Sequence, residues 1–360
     1  MSTGPVARPL DRKNLRQRLR PVSSTSTARA LALVALDATL FVAAIAGTVL
    51  AGSVALKLLL AVVAGFLIGR LFILGHDACH QSFTPHKTLN RWLGRIVFLP
   101  SLTPYSLWEA GHNVMHHGYT NLKGADFVWT PHTIEEYRAL TPGRRFLYRV
   151  YRSGWAPWLY YLVEMWWLRM YFPSRRQVGA RRRVFMLDGA LVSVFALAWI
   201  GALALVAEAT RQSIALLLTA GFAVPFLFWN GMIGFVVYLH HTHEQVGWHA
   251  AKAEWMRSQP FVHGTVHLSF RPLLGLDMGA LLHHIMEHTA HHVDMGIPLY
   301  RLKRAQALLE TLLPGEIVRQ TFSWRWYFDT ARRCKLYDFR LRCWADYAGV
   351  PTSTPAAAAS

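Results

Sequence analysis

Residues 54–80 read VALKLLLAVVAGFLIGRLFILGHDACH, an apolar run that ends in two histidines four positions apart. About 20 apolar residues cross a bilayer as a helix, so the stretch Val54–Leu74 predicts a membrane span. We expect the helix to continue past Arg70 and to present His76 and His80 on one face. The rest of the chain can be interpreted from this pairing of a membrane helix with metal-ligand side chains.

Three further apolar runs are long enough to cross a membrane, at Ala30–Leu50, Val184–Ala207 and Ser213–Leu239. Two other segments are interrupted or rich in Trp and Tyr, which is typical of helices at the membrane surface; they are residues 92–108 and 154–172. The expected fold class is therefore an all-α integral membrane protein, with four transmembrane helices in two hairpins plus interfacial helices.

Composition supports this fold class, because 53% of the 360 residues are hydrophobic and only 16% are charged. The formal charge of +18 is compatible with nucleic-acid binding, but a membrane protein that keeps Lys and Arg on its cytoplasmic side explains it better. Only Lys57 and Arg211 fall in the two predicted outer loops. We therefore expect both termini and every histidine cluster on the cytoplasmic side, in what composition suggests is a bacterial inner membrane, with no nucleic-acid partner.

The ends of the chain differ from its middle. Residues 1–27 are polar and basic and predict a disordered cytoplasmic N-terminus. The membrane domain is expected over residues 28–310. Residues 311–360 predict a cytoplasmic C-terminal segment whose Pro/Thr/Ala-rich end is disordered.

Most of the 18 histidines fall in tight clusters on the predicted cytoplasmic side. HDACH begins at position 76, HNVMHH at 112 and HTAHH at 288, and a fourth group contains His240, His241 and His243. By helical geometry His112 and His116 are expected to share a face, with His117 about 100° round. Eight or nine neutral imidazoles are too many for one ion and suit two ions with positions left for oxygen.

These three motifs resemble the three histidine boxes of the membrane fatty acid desaturase family, with the Δ12-type acyl desaturases as the most similar group. The resemblance covers roughly residues 70–310. It implies a cytoplasmic helical cap that carries the boxes, two iron ions as cofactor and O₂ as co-substrate. The iron ligands that it implies are His76, His80, His112, His116, His117, His288, His291 and His292. His241 is expected to be the additional ligand, with His243 as the alternative. His283 is expected either to contact a ligand from behind or to act as a ligand itself.

Some residues beside the boxes depart from the family pattern, namely Glu244, His284 and Glu287. Side chains expected to orient the ring N–H groups of ligating histidines are Asp77, Asn113, His283 and Glu287. The isolated histidines are expected at the surface or behind the ligands, at positions 86, 132, 249, 263 and 267.

The implied reaction is desaturation of an acyl chain carried by a lipid, coenzyme A or acyl carrier protein, lying in an apolar tunnel among spans two, three and four. No dinucleotide fingerprint or CxxC motif is present, so electrons are expected from a separate ferredoxin or cytochrome b5-type protein. The basic surface that includes Arg175–Arg183 and the stretch Arg332–Arg342 could dock this partner, although attraction to anionic lipid is the favoured explanation of those charges.

The alternatives at the same metal site are a hydroxylase, an acetylenase or a carotenoid-type oxygenase. A His-rich metal transporter is a more distant alternative, because the predicted spans are nearly free of the ionisable residues that it would require.

Overall fold

The computed structural model describes residues 11–173, 182–272 and 277–355 of the chain. Within them, the α-helices in chain order are α1 (Arg12–Leu19), α2 (Thr27–Leu50), α3 (Val54–Cys79), α4 (Lys87–Phe98), α5 (Tyr105–Glu109), α6 (Ile134–Ala139), α7 (Pro142–Tyr151), α8 (Pro157–Tyr160), α9 (Arg182–Ala209), α10 (Ile214–His241), α11 (Lys252–Arg257), α12 (Pro260–His263), α13 (Met278–Leu281), α14 (His288–Val293), α15 (Leu299–Leu312) and α16 (Trp324–Arg333). Helix α5 continues as a π-helix over Ala110–His116, α8 does so over Tyr161–Tyr171, and α10 contains a π-helical turn at Thr219–Ala223.

Short strands contribute little to the described fold. Strand β1 (His267–Ser269) pairs in parallel with β2 (Arg319–Thr321), and β3 (Leu336–Asp338) pairs antiparallel with β4 (Cys343–Ala345). Single 3₁₀ turns lie at Arg20–Val22 and Leu99–Ser101. The all-α class is confirmed.

Four described helices, α2, α3, α9 and α10, are long and apolar enough to cross a membrane. Serine side chains cap three of them, since Ser26, Ser53 and Ser213 each accept a hydrogen bond from a first-turn backbone N–H. The four spans predicted from hydropathy are therefore confirmed, and α3 runs on through the first histidine box as expected.

Helix α3 is the central span. In its most apolar window 61% of the residues are buried within the protein, against 17% for α2 and for α9, which therefore offer most of their surface to lipid. Helix α10 packs tightly against α3 at Gly65, where a Cβ atom would lie 2.7 Å from the carbonyl oxygen of Pro225 and 2.8 Å from Cβ of Phe228. The absence of a side chain at Gly65 is thus what allows the two helices to approach.

The N-terminal segment differs from the prediction of disorder. Asp11 caps α1, and the leucines four positions apart on it, Leu15 and Leu19, are fully buried. The prediction was wrong for residues 12–22 because a short basic helix with one apolar stripe gains its stability from packing, which composition does not reveal. Residues 1–10 lie outside the described part of the chain.

The C-terminal segment is also more regular than expected. Helix α16 and the β3–β4 hairpin follow the membrane domain, and Trp344 N donates to Ser353 Oγ, so the chain returns along β4. The predicted disorder therefore does not hold as far as Thr354, and residues 356–360 lie outside the described residues. So do Arg175, Arg176 and Arg181 of the basic cluster.

Candidate metal centre

Nine histidines from four separate segments meet in two groups at the ends of α3 and α10. Within each group the nearest ligand atoms all lie within 4.8 Å of one another. The first group contains His76, His80, His112, His117 and His291, and the second contains His116, His241, His288 and His292. All are buried except His112, which is half-buried. The fold therefore brings together all three boxes and one histidine of the fourth group.

The second box lies on a π-helix, which changes how its histidines are shared. The backbone N–H of His117 donates to the carbonyl of His112, five residues earlier, at 2.9 Å. Residues five apart therefore stand nearly above one another, so His112 and His117 join the first group and His116 faces the second. The expectation that His112 and His116 share a face assumed α-helical geometry and was wrong.

Ring nitrogens in the groups point at one another rather than at hydrogen-bonding partners. Nε2 of His112 lies 3.0 Å from Nε2 of both His76 and His117, and Nε2 of His241 lies 3.0 Å from that of His288. Two nitrogens at right angles around one metal ion, each about 2.1 Å from it, are about 3 Å apart. Both ring nitrogens of His80 are buried without a hydrogen bond. These residues fit a pair of bound transition-metal ions.

The protonation state of the grouped histidines also favours metal binding. Burial lowers the pKa of six histidines in these groups well below the ordinary value of about 6.5. They are His80, His112, His117, His288, His291 and His292. Neutral imidazole has the lone pair that a metal ion binds.

A cavity of about 1040 Å³ runs from the two groups into the protein. His76, His112, His116, His241 and His288 line part of it. The walls are largely apolar, with residues of α3, α5, α10 and the π-helix after α8 that include Phe72, Ile73, Trp108, Met165, Ile233 and Val236. Residues of α9 do not line it in the described structure. The prediction of a tunnel among spans two, three and four was therefore wrong about span three, whose place is taken by the aromatic segment at Tyr161–Tyr171.

The sequence model of the family described as fatty acid desaturase matches residues 52–324. The chain belongs to the fatty acid desaturase family. It is similar to an sn-1 oleoyl-lipid 12-desaturase of Synechocystis sp., with 27% identity over 74% of this chain and 72% of the relative. It is also similar to an sn-1 oleoyl-lipid 12-desaturase of Arthrospira platensis, with 30% identity over 66% of this chain and 64% of the relative. A third relative is an sn-1 acyl-lipid omega-3 desaturase (ferredoxin) of Synechocystis sp., 29% identical over 75% of this chain and 72% of its own length. As a family member, this desaturase is a membrane oxidoreductase.

Two hydrogen bonds orient rings of the second group in the desaturase. Asp126 Oδ1 lies 3.0 Å from Nδ1 of His116, and its Oδ2 accepts from the backbone N–H of Asn121 at 2.8 Å. Thr120 donates its hydroxyl to the carbonyl of His116, so it accepts from Nδ1 of His292 at 3.1 Å. Each contact directs Nε2 toward the group. Sequence reasoning missed Asp126, because it lies ten residues beyond its partner and outside any box.

The side chains expected to orient ligands make other contacts in the described structure. Asp77 Oδ2 accepts from the backbone N–H of Leu299 at 3.0 Å, and Asn113 Nδ2 donates to the carbonyl of Cys79 at 2.9 Å. Glu287 lies 3.0 Å from Nδ1 of His284. Asp77 and Asn113 therefore hold segments that carry the boxes, and Glu287 contacts the ring of His284, which lies outside both groups.

The remaining candidate histidines lie outside both groups. His243 Nδ1 accepts from the backbone N–H of Gln245 at 3.1 Å, and His283 Nε2 lies 2.6 Å from Asp37 Oδ2. His240 stacks on the ring of His288 with 3.7 Å between ring centroids, and so supports a grouped histidine from behind. The structure thus favours His241 over His243 and His283 as the ninth member.

Proposed function

We propose that this desaturase uses O₂ and two iron ions to introduce a double bond into the acyl chain of a membrane lipid. The observation that carries the proposal is that five of the nine grouped histidines line the large, mainly apolar cavity. One group would hold one ion and the second group the other, and His76, His112, His116, His241 and His288 are the members that line the cavity proposed for the acyl chain.

Two iron ions bound here would supply the oxygen and electron chemistry that the side chains of the protein lack. In the balanced reaction, a –CH₂–CH₂– unit, O₂, two electrons and two protons become –CH=CH– and two water molecules. The protein orients the chain and excludes water. Trp108 stacks on His112 with 4.0 Å between centroids and forms part of the cavity wall, so it fixes both a ring of the metal group and the path of the chain.

We propose a lipid-linked acyl chain as the substrate and a ferredoxin-type protein as the electron donor. The names of the relatives support both, since two include an oleoyl lipid and one includes ferredoxin. The location that we propose is a bacterial inner membrane with the metal centre and both termini on the cytoplasmic side. The concentration of Lys and Arg away from the predicted outer loops supports this orientation.

The test is lipid profiling of a bacterial host that expresses the chain. Wild type should produce new unsaturated acyl chains, and His291→Ala or His116→Ala, one from each group, should abolish them. His86→Ala is the matched control, because His86 is exposed and lies outside both groups. Membrane levels of all four proteins are compared by immunoblot.

Product chemistry decides among reactions at the same centre. Hydroxylated, acetylenic or oxygenated carotenoid products in place of alkenes would contradict desaturation while preserving the metal site. Equal amounts of product from wild type and from His291→Ala would contradict the proposed site itself.

A further inference from the structure

Helix α1 covers the third histidine box and makes hydrogen bonds to its backbone. Arg12 Nη2 donates to the carbonyl of His292 at 2.8 Å, and Arg12 Nε donates to the carbonyl of Val293 at 3.1 Å. Arg16 Nε also donates to Val293 O, at 3.0 Å. These carbonyls end the short helix α14 and have no partner within it, so two cations at this end are favourable. Helix α1 is thus fixed directly over residues that carry the metal centre.

This covered side lies away from the acyl cavity. His292 and three other members of the groups, His80, His117 and His291, are absent from the cavity lining within the described structure. The substrate occupies the cavity side, so a protein electron donor must approach from another direction. At α1 the wall is thin, because Arg12 is only half-buried and its guanidinium contacts the backbone of His292.

The outer surface of α1 is strongly basic. Lys13 and Arg18 on α1 and Arg20 directly after it are exposed, and Arg304 is exposed on the neighbouring helix α15. In the described part of the chain these four side chains form no hydrogen bond or ion pair, whereas the adjacent Asp294 pairs with Arg16. We name Lys13, Arg18, Arg20 and Arg304 the donor face.

We propose that the donor face binds the acidic surface of a small iron–sulfur electron carrier, and that electrons enter the metal centre from the side of His292. This inference rests on the proposed function. Each turnover oxidises two carrier molecules by one electron each, and those electrons, with two protons and two methylene hydrogens, reduce O₂ to two water molecules. Unpaired surface cations attract and orient an acidic partner, and they act mainly on the rate of encounter.

The donor face differs from the basic regions considered from the sequence. The family match begins at residue 52, so α1 is a feature of this chain outside the matched region. Of the earlier candidates, Arg332 and Arg333 already pair with Asp329 and Glu244. Unlike those two residues, the donor face has no ion pair within the described structure, and it adjoins α1, whose Arg12 contacts the backbone of His292.

The experiment compares two reductants with full-length, iron-loaded protein in nanodiscs of uncharged lipid. Reduced ferredoxin is the protein donor, and dithionite with a small dye mediator is the chemical donor. The variant Lys13→Glu/Arg18→Glu/Arg20→Glu reverses the donor face. The matched control Arg257→Glu/Arg325→Glu/Arg340→Glu makes the same change in charge at exposed arginines elsewhere.

We expect the donor-face variant to raise the KM for ferredoxin about tenfold or more at low salt, with the dithionite-driven rate unchanged. The control variant should raise it much less, and added salt should reduce the difference. Equal effects of the two variants would overturn the inference. So would a fall in the dithionite-driven rate that matches the ferredoxin-driven loss, because it would indicate a structural role alone. An effect that is absent in the uncharged nanodiscs and present only when the comparison is repeated in anionic nanodiscs would also overturn the inference, because it would indicate lipid binding. Product from neither reductant with wild type would overturn the proposed function and this inference with it.

Discussion

Asp37 is the buried carboxylate whose removal should most disturb the segment ahead of the third histidine box. It lies in α2 with no exposed surface and accepts from Nε and Nη2 of Arg70 at 3.0 and 2.8 Å. His283 Nε2 lies 2.6 Å from its other oxygen, and Arg70 Nη1 also donates to the carbonyl of Leu281 at 2.6 Å. This cluster ties α2 and α3 to the turn that leads into α14.

Asp37→Ala leaves the Arg70 guanidinium, whose side chain is only 12% exposed, without its counterion. Removing one partner of a buried ion pair costs about 3–5 kcal/mol, whereas replacing the whole pair by apolar side chains is often neutral. We therefore expect Asp37→Ala to lower the free energy of unfolding by about 3–5 kcal/mol. The double variant Asp37→Leu/Arg70→Met should lose at least about 2 kcal/mol less than the single variant.

The assay is unfolding in a detergent titration, followed by tryptophan fluorescence, with iron content measured on the same samples. His283 and His284 both have positive φ angles, 49° and 60°, so the turn held by this cluster is strained and should relax once released. Iron content should fall with Asp37→Ala and recover in the double variant. A loss in the free energy of unfolding below about 1 kcal/mol for Asp37→Ala would contradict this prediction. So would a loss in the double variant equal to the sum of the losses in the two single variants.

Three further predictions concern the metal groups and the membrane helices. Asp126→Asn should lower metal affinity about 10–100-fold in a chelator competition, because the carboxylate that orients His116 is lost; an unchanged affinity would exclude that role. Gly65→Ala should lower the melting temperature, since Cβ would meet Pro225 O at 2.7 Å, whereas Gly189→Ala, with nothing within 4 Å, should not. The metal-free protein should lose stability as pH falls below about 6.5, because burial depresses the folded-state pKa of His291 and His292 and the unfolded chain therefore binds protons at these residues first. Melting temperatures measured from about pH 8 to about pH 5 check this sign, and a flat profile would contradict it.

The spans and the histidine boxes were predictable because each depends on a local pattern. A run of about 20 apolar residues marks a span without knowledge of its neighbours. Metal ligands recur at fixed spacings on one segment, so His76 with His80 could be paired from position alone. Assigning all three boxes to one side of the membrane needed only hydropathy and the distribution of Lys and Arg.

Features that depend on contacts between distant segments could not be predicted in the same way. The π-helix moves His112 and His116 into different groups, and its backbone bonding has no simple sequence signal. Asp126 reaches His116 only through the fold of the loop between them. Helix α1 is ordered by the carbonyls of α14, about 280 residues away, and its basic composition resembles that of a disordered tail.

We expect the two histidine groups to bind two iron ions. Metal analysis of protein purified without chelators, combined with Mössbauer spectroscopy of a ⁵⁷Fe-enriched sample, tests it most directly. We expect two iron ions for each chain in high-spin sites, with less iron in His116→Ala and in His291→Ala and a normal content in His86→Ala. One iron for each chain, a stoichiometric metal other than iron, or full iron content in both group variants would contradict it.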